Sequence, residues 1–306
     1  MKKVLITGGS GSIGKAFIKK YYNNYNFYNI SRNEKVQSEL KDEFPRVTNF
    51  VGSVEDICSL NAVYNFVRPD IVIHTAAMKH IEVIEKQPIQ ACRTNVLGSL
   101  NVISASKDYK VPITIGISTD KACASESVYG NTKFLMERCF MEADTDESRF
   151  VCCRFANVAN SSGSIIPRWK KMRDDGVPIR VTDKRMNRMM FSLNDAAEFI
   201  HKTIGICDER GGFIGVKGDM KTVNIYELAK TISDNVEIIG RRSEAEKFEE
   251  DLISEKELLF TKIVDWDYIM ILPERNKELS TLEEPYGTRN TIRMTKEEME
   301  EMVEEE

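Results

Sequence analysis

The chain has 306 residues and a formal net charge of −5, with 42% hydrophobic and 30% charged residues. This length suffices for one large domain or two modest ones with a sizeable buried core. The acidic balance argues against a binder of nucleic acid or anionic membranes, because both partners require a basic surface.

Neither the start of the chain nor its cysteines indicate export. The first residues, "MKKVLITGGSG", contain only a five-residue apolar run, and no later stretch reaches the ~20 apolar residues of a membrane span. Seven cysteines are scattered without a CxxC pair, and the three histidines lie far from any pair of cysteines. We therefore expect a cytoplasmic protein with reduced thiols, no bound metal and no membrane span.

Short apolar runs alternate with helical patterns through the first half of the chain. The predicted strands are 3–7, 27–31, 46–52, 70–77, 112–119 and 149–158. The predicted helices are 13–22, a polar stretch after residue 31, 55–67, 89–108 and 127–142. Near-continuous apolar strands that alternate with helices are typical of a parallel sheet with helices on both faces. The predicted fold class is therefore α/β, with a doubly wound parallel sheet.

This alternation ends after Val158. The later patterns are a helix at 192–204, a strand at 211–216 and a helix within 223–232. Because these patterns are shorter and more charged, we interpret them as a smaller C-terminal region that binds the substrate. The predicted boundaries are 1–159 and 188–217 for the larger domain, and 160–187 and 218–306 for the substrate-binding region.

A glycine-rich segment, "TGGSGSIG", lies between the first predicted strand and the first predicted helix. Its glycines permit a tight turn and let the backbone approach a pyrophosphate, whose charge is favourable at the helix N-terminus. In this setting the motif predicts a Rossmann-like domain that binds a dinucleotide. The residues assigned to this site are Gly8, Ser10, Gly11, Ser12, Ile13 and Gly14.

The end of the second strand favours NADP over NAD. The usual NAD determinant at this position is an acidic residue that binds the ribose 2′-hydroxyl. Here the strand ends in "ISRNE", so that Ser31 and Arg32 take its place, and a hydroxyl and a guanidinium suit a 2′-phosphate. Glu34 nearby leaves open the alternative that Arg32 is an ordinary solvated loop residue.

Tyr129 and Lys133 are four residues apart in a predicted helix and therefore lie on one face of it. A free phenol has a pKa near ~10 and is a poor base at neutral pH. A neighbouring ammonium stabilises the phenolate and can bind the ribose of a nicotinamide cofactor, which suits the tyrosine to take a proton from an alcohol that loses a hydride. Ser118 and Thr119, at the end of the preceding strand, can share the hydrogen bond of that alcohol.

Together these features resemble the short-chain dehydrogenase/reductase superfamily in its extended form. Within it, the chain resembles the branch that contains the inverting UDP-N-acetylglucosamine 4,6-dehydratases and capsular-polysaccharide sugar-nucleotide enzymes. The segments that carry this resemblance are "HTAAMKH", "TNVLGSLNVI", "STDKA", "YGNTK", "RFANV", "GSIIP" and "TDKRMNRMM". The C-terminal pattern resembles enzymes that make UDP-2-acetamido-2,6-dideoxy-L-sugars more closely than it resembles the pseudaminic-acid branch.

The resemblance implies a reaction of NADP with UDP-N-acetylglucosamine or a related UDP-sugar. Carbon 4 is oxidised, the ketone acidifies the proton on carbon 5, water is eliminated across carbons 5 and 6, and the hydride returns to carbon 6. By resemblance Lys121 is the base for carbon 5 and Asp120 is the acid for the leaving hydroxyl. Thr119, Tyr129 and Lys133 complete the catalytic set. A base role for Lys121 requires a lowered pKa, which the sequence does not show.

The resemblance assigns further contacts to cofactor and substrate. Those expected at the cofactor, besides Tyr129 and Lys133, are Ser53, Val54, Ala76, Ala77, Lys79 and Asn95. Ser53 stands where the family often has an Asp that holds the adenine, so a weaker contact is expected there. Those expected at the substrate are Lys79, Thr119, Asn157, Ser164, Arg188 and Arg241. Each has a structural alternative, such as an exposed loop lysine in the case of Lys79. His74, on a predicted strand, is interpreted as a packed residue rather than an acid or a base.

Two other functions fit parts of the pattern. A UDP-sugar 4-epimerase of the same superfamily oxidises and re-reduces carbon 4 without elimination, and so has no use for an acid at Asp120. A non-catalytic NADP-binding or regulatory protein does not need Tyr129 and Lys133. Some members of the branch also epimerise carbon 3, which the sequence leaves open. The family is usually oligomeric, so the resemblance implies a homo-oligomer, either a dimer or a hexamer.

Overall fold

The computed structural model describes residues 1–240, 247–278 and 280–305. The strands in this part of the chain are β1 (Lys3–Thr7), β2 (Asn26–Ser31), β3 (Thr48–Val51), β4 (Ile71–His74), β5 (Ile113–Thr119), β6 (Arg149–Phe155), β7 (Asn157–Val158), β8 (Ile179–Val181), β9 (Asn187–Phe191), β10 (Ile214–Lys217), β11 (Lys221–Asn224), β12 (Val236–Ile238), β13 (Asp251–Ile253), β14 (Thr261–Asp265), β15 (Tyr268–Ile271) and β16 (Tyr286–Gly287). The α-helices are α1 (Ser12–Tyr21), α2 (Glu34–Glu43), α3 (Ile57–Val67), α4 (Ile81–Lys86), α5 (Pro88–Ala91), α6 (Gly98–Asp108), α7 (Val128–Ala143), α8 (Ile165–Asp174), α9 (Leu193–Cys207), α10 (Ile225–Ile232) and α11 (Lys296–Glu304). A π-helical turn, Cys92–Leu97, and two 3-10 turns, Asp120–Ala122 and Glu255–Phe260, complete the regular structure.

One large sheet lies at the centre of the molecule, in the strand order β14-β15-β10-β6-β5-β4-β1-β2-β3. The strands from β10 to β3 all run parallel. The central strands β4 and β5 are buried along their whole length, because helices cover both faces of the sheet. This architecture confirms the predicted α/β fold class.

Successive residues of the parallel strands face opposite helical layers. Leu5 of β1 and Val72 of β4 lie in one core with residues of α3 and α6. Ile6 and Ile73, the next residue along each strand, lie in the core of the other face with residues of α1, α7 and α9. The sheet is therefore doubly wound, as the apolar runs predict.

A hairpin late in the chain extends the same sheet. β15 pairs antiparallel with β10, and β14 pairs antiparallel with β15. The predicted boundaries give these residues to the substrate-binding region, whereas strand pairing joins them to the large sheet. All of β15 is buried, and Tyr268 stacks on Phe199 of α9 with ring centroids 4.9 Å apart. The hairpin lies here because it covers the apolar edge that β10 would otherwise expose.

A second, smaller core is formed by the C-terminal half of the chain. It packs α8, α10 and α11 around the short strands β8, β9 and β11. Its buried side chains include Ile166, Trp169, Leu228 and Met302. The acidic C-terminal stretch therefore forms an amphipathic helix, α11, with its methionines buried and its glutamates largely in solvent.

The predicted helices are present, but α4 and α8 have no predicted counterpart, and one predicted helix is divided. The segment predicted as a single helix over 89–108 consists of α5, the π-helical turn and α6. Gly98 begins α6 close to the loop after β3, where a Cβ atom would come within 2.6 Å of Val54. Among the described residues, no helix is both long enough and apolar enough to span a membrane.

Candidate active site

A cavity of about 700 Å³ opens at the carboxyl ends of β1, β2, β4 and β5. This is the edge of an open α/β sheet at which ligands bind. The predicted site residues that line it are Gly8, Ser10, Gly11, Ser12, Ile13, Ser31, Arg32, Ser53, Val54, Ala76, Ala77, Lys79, Thr119, Asp120, Lys121, Tyr129, Lys133 and Asn157. Those outside the lining are Gly14, Asn95, Ser164 and Arg188. The structure therefore gathers most of the predicted residues around one cavity.

The turn between β1 and α1 is shaped to receive a phosphate. Gly8 has a φ of +73°, and a Cβ atom there would come within 3.0 Å of the Ala76 backbone. Gly11 precedes α1 without a side-chain cap, so N–H groups of the first turn remain for a ligand. Gly14 acts differently: a Cβ atom there would lie 2.6 Å from Gly9, so glycine lets the helix pack onto the turn. The pyrophosphate of a dinucleotide fits this cradle.

The end of the cavity next to β2 presents hydroxyl and guanidinium groups. The Ser31 hydroxyl accepts a hydrogen bond from Ser10 at 3.0 Å and from Nε2 of Gln37 at 2.9 Å, which hold it in place. Arg32 is exposed and lines the cavity. No acidic side chain is found among the described lining residues of this end, from 30–33 and 52–54. These residues therefore include no carboxylate that would repel a 2′-phosphate.

The segment after β4 forms another wall, which a buried asparagine holds. Asn95 accepts a hydrogen bond from the Met78 backbone N–H at 2.7 Å and donates to the Met78 carbonyl at 3.0 Å. Lys79 Nζ donates to the carbonyl of Ser162 at 2.6 Å, across to the loop before α8. The structure thus gives Asn95 a positioning contact, and its predicted contact with the cofactor stays a prediction.

Tyr129 and Lys133 lie in the first turns of α7, which Ser127 caps by accepting a hydrogen bond from the Gly130 N–H. Burial raises the pKa of Tyr129 to about 12, although a hydrogen bond with Thr119 opposes the shift. Burial lowers the pKa of Lys133 to about 8. In the protein alone Tyr129 is therefore a neutral phenol at physiological pH, although the nearby charge of Lys121 also favours the phenolate.

Asp120 and Lys121 form an ion pair in the 3-10 turn after β5. Lys121 Nζ lies 3.1 and 3.2 Å from the two carboxylate oxygens of Asp120, and Thr119 Oγ1 donates to Asp120 Oδ1 at 2.7 Å. Burial and the neighbouring Glu250 carboxylate raise the pKa of Asp120 to about 6. Burial alone would lower the pKa of Lys121, but the carboxylates of Asp120 and Glu250 outweigh it and raise that pKa. The lowered pKa that a base requires is therefore not produced by this arrangement.

Glu250, which the sequence did not single out, brings a second carboxylate to the pair. Its Oε1 lies 3.3 Å from Lys121 Nζ and 3.2 Å from Arg188 Nε, and its Oε2 accepts a hydrogen bond from Asn157 Nδ2 at 2.9 Å. Burial would raise the pKa of Glu250, but Lys121 and Arg188 outweigh it and hold that pKa well below its usual range. Two predicted substrate contacts, Asn157 and Arg188, thus converge on Glu250.

The guanidinium of Arg188 is directed toward the protein. Nη1 donates to the Asn187 carbonyl at 2.6 Å, Nη2 donates to the Lys247 carbonyl at 2.9 Å, and Nε faces Glu250. Binding a nucleotide diphosphate through this side chain would require some of these bonds to open. The predicted substrate contact of Arg188 therefore stays a prediction.

The remaining predictions concern Ser164, which is outside the cavity lining, and Arg241. Ser164 precedes α8, and its hydroxyl is buried without a hydrogen-bond partner in the described part of the chain. Arg241 lies outside the described residues. Within the described ranges, no group of three or more His, Cys, Asp or Glu side chains is placed to hold a metal ion.

Glu250 could not be singled out from its sequence context. It stands in "EKFEEDL", between two other acidic residues and next to the short strand β13. The one available signal was an acidic residue beside an apolar strand in the region expected to bind substrate.

The chain is similar to proteins of known family and to solved structures. A family model described as polysaccharide biosynthesis protein matches residues 4–272. The UDP-N-acetylglucosamine 4,6-dehydratase (inverting) of Campylobacter jejuni is 37% identical over 83% of this chain and 78% of its own length. A UDP-glucose 4-epimerase of Rickettsia massiliae is 30% identical, with 99% of this chain and 95% of that protein covered. Pen from Bacillus thuringiensis has a crystal structure that superposes with a TM-score of 0.90 at 28% identity, covering 99% of this chain and 97% of Pen.

The family model extends from β1 to the end of β15, and the Campylobacter jejuni relative also covers most of the chain. The motifs that carried the resemblance all lie inside the matched range. The chain therefore belongs to the polysaccharide biosynthesis protein family, which confirms the resemblance drawn from its motifs.

Proposed function

We propose that the protein is an NADP-dependent UDP-N-acetylglucosamine 4,6-dehydratase that inverts carbon 5, with a UDP-2-acetamido-2,6-dideoxy-L-hexos-4-ulose as its product. The observation that carries this proposal is the position of Asp120 and Lys121 in the same cavity as Tyr129 and Lys133. Oxidation of an alcohol needs only the second pair, whereas elimination of water also needs an acid and a base. The name of the 37% identical relative agrees with this assignment.

Oxidation and reduction involve the groups on α7. A bound nicotinamide cofactor would take the hydride from carbon 4 and return it to carbon 6. Tyr129 takes the proton of the 4-hydroxyl, and the ammonium of Lys133 stabilises the phenolate. Thr119, which hydrogen-bonds Tyr129, orients the 4-hydroxyl between them.

Elimination involves the ion pair. One proton transfer, from Lys121 Nζ to Asp120 across 3.1 Å, converts an ammonium and a carboxylate into an amine and a carboxylic acid. The amine then takes the proton of carbon 5, and the acid protonates the 6-hydroxyl, which leaves as water. Lys121 is again an ammonium and Asp120 again a carboxylate. Return of the hydride to carbon 6 would leave an enolate, and carbon 5 then takes a proton that originates from the solvent on the opposite face of the sugar, which inverts carbon 5. The raised pKa of Asp120 favours the transfer from Lys121 to Asp120, and the raised pKa of Lys121 opposes it.

The choice of NADP rests on the cavity end next to β2. Ser31 and Arg32 supply a hydroxyl and a guanidinium there, and both are suited to a 2′-phosphate. The two groups stand where an NAD enzyme of this fold carries an acidic residue.

Homo-oligomer formation is also part of the proposal. Exposed apolar side chains lie near one another in sequence on α5, the π-helical turn and α6, namely Ile89, Leu97 and Leu100, and Leu135 of α7 is exposed as well. Apolar side chains in such a group favour burial against another protein surface. A second copy of this chain is the expected partner.

The test is turnover of UDP-N-acetylglucosamine with NADP⁺ in deuterium oxide. We expect a 4-keto-6-deoxy product with deuterium at carbon 5 and the L configuration there, identified by mass spectrometry and NMR. A 4-epimer without deuterium at carbon 5 would contradict the proposal and favour a UDP-sugar 4-epimerase. Lys121→Met should slow elimination by at least about 100-fold while cofactor binding is retained. Lys262→Met, which removes a surface ion pair with Glu278, is the control and should leave turnover unchanged.

A further inference from the structure

Glu250 is placed so that it touches both members of the Asp120–Lys121 pair. Its Oε1 lies 3.3 Å from Lys121 Nζ, and its carboxyl is within hydrogen-bonding reach of the Asp120 carboxyl. Two carboxyl groups this close share a proton more readily than they carry two negative charges. The side chain of Glu250 is nine-tenths buried, so water screens these charges little.

We propose that Glu250 is a positioning residue that sets the charge state of the Asp120–Lys121 pair. Its carboxylate favours the protonated form of Asp120, which is the form that an acid for a leaving hydroxyl requires. It also favours the ammonium form of Lys121, which opposes the proton transfer to Asp120 but favours the later uptake of a proton by the amine. The role in elimination rests on the proposed dehydratase function, whereas the control of charge does not.

Glu250 can act in this way because other groups keep it ionised. Arg188 Nε lies 3.2 Å from Oε1, and Asn157 Nδ2 donates to Oε2 at 2.9 Å. Together with Lys121, these groups stabilise the ionised carboxylate of Glu250. Between the two carboxyls, a proton is therefore expected to reside on Asp120 rather than on Glu250.

The backbone of Glu250 is fixed independently of the ion pair. Its N–H donates to Thr288 Oγ1 at 3.0 Å, and its carbonyl accepts from the Thr288 N–H at 2.9 Å. The adjoining strand β13 pairs with β16. Glu250 therefore presents its carboxylate to Lys121 from a paired segment rather than from a free loop.

The other charged groups around the cluster come from several elements. Tyr129 of α7 and Arg188 of β9 face it directly. Lys247 donates to the Ala124 carbonyl at 2.8 Å, and Asp251 interacts with Lys247 and Arg289. Glu249 instead accepts hydrogen bonds from Asn187 and Thr288. Glu249 therefore offers a matched control, because it is the adjacent carboxylate in the chain and faces another set of partners.

The experiment is a ¹³C NMR titration of the protein saturated with NADP⁺ and labelled with [¹³Cγ]aspartate. The Asp120 signal is assigned by its loss in Asp120→Asn. In Glu250→Gln, which removes the charge at nearly constant shape, we expect the Asp120 midpoint to fall by about one to two pH units. Glu250→Asp retains the charge and should recover part of the shift, and Glu249→Gln should leave the midpoint where it is in the native protein.

Two results would overturn the proposal. One is an unchanged Asp120 midpoint in a folded, NADP⁺-binding Glu250→Gln variant. The other is an equal shift in Glu249→Gln, which would show a general effect of charge in the segment. The titration needs no sugar nucleotide, so it decides the role of Glu250 even if the native protein fails to convert UDP-N-acetylglucosamine. If conversion does occur, the acid limb of its pH profile should move in Glu250→Gln in the same direction as the Asp120 midpoint.

Discussion

Burial reverses the usual order of two pKa values at Tyr129 and Lys133. A free phenol and a free ammonium have similar pKa values, whereas here the phenol is raised to about 12 and the ammonium is lowered to about 8. Both shifts have one cause, because desolvation disfavours the charged form of each group. The protein by itself therefore does not make a phenolate–ammonium pair.

His74 makes the folded protein sensitive to acid. Its ring nitrogens lie 2.7 Å from Thr7 Oγ1 and 3.0 Å from Ser99 Oγ, and burial lowers its pKa from 6.5 to about 3. Below pH 6.5 His74 binds a proton in the unfolded chain but stays neutral in the folded protein, so the free energy of unfolding falls as the pH falls. Between pH 7.5 and pH 5.0 this loss is about 2 kcal/mol. In urea unfolding at both pH values, the free energy of unfolding of His74→Asn should fall by about 2 kcal/mol less than that of the native protein. Equal falls in the two proteins would contradict the prediction.

Two elements that carry site residues are joined by a buried ionic cluster. Arg154 of β6 donates to Glu137 of α7 at 2.9 and 2.7 Å, and its Nη2 donates to Glu257 at 2.9 Å. Its Nη1 donates to the Leu252 carbonyl at 2.7 Å. Because α7 carries Tyr129 and the segment before Leu252 carries Glu250, one arginine links the two sides of the candidate site.

Replacement of Arg154 should lower the free energy of unfolding by more than the loss of an ordinary surface salt bridge does. Arg154→Met leaves two buried carboxylates without their cation, and we expect the free energy of unfolding in urea to fall by about 3–5 kcal/mol. Arg149→Met on the same strand removes a partly exposed ion pair with Asp144 and should cost about 0–1 kcal/mol. Similar losses in the two variants would show that the cluster contributes no more than a surface pair.

Local patterns in the sequence predicted elements well and contacts between distant elements poorly. The predicted strand 112–119 and helix 127–142 nearly coincide with β5 and α7, because a continuous apolar run and a serine cap are local signals. Arg154 stands in the apolar run "RFVCCRF", but its partner Glu257 is 103 residues away. Glu250 reaches Lys121 over a similar separation. Such pairs are set by tertiary packing and leave no periodicity, so they could not be predicted.

At the scale of the whole molecule, the cavity is held between the large sheet and the C-terminal half of the chain. Ser12 Oγ accepts a hydrogen bond from the Ser162 N–H at 2.8 Å, and the Ser162 carbonyl accepts one from Lys79. Lys247 joins the loop after Lys121 through the Ala124 carbonyl. A ligand that fills this cavity therefore contacts parts that must separate when the protein unfolds, and its affinity should be visible in global stability.

Cofactor preference should accordingly appear as a difference in melting temperature. At equal cofactor concentrations well above both dissociation constants, a tenfold tighter binding of NADP⁺ than of NAD⁺ corresponds to about 1.4 kcal/mol of additional stabilisation. The melting temperature with NADP⁺ should then be about 2 °C higher than with NAD⁺. Scanning calorimetry of the native protein should show this order. Arg32→Glu should reverse it, because a carboxylate at the cavity end repels a 2′-phosphate and accepts a hydrogen bond from a 2′-hydroxyl. Lys35→Glu makes the same change of charge on the exposed side of α2, outside the cavity lining, and should preserve the order. Equal stabilisation of the native protein by both cofactors would contradict the preference for NADP.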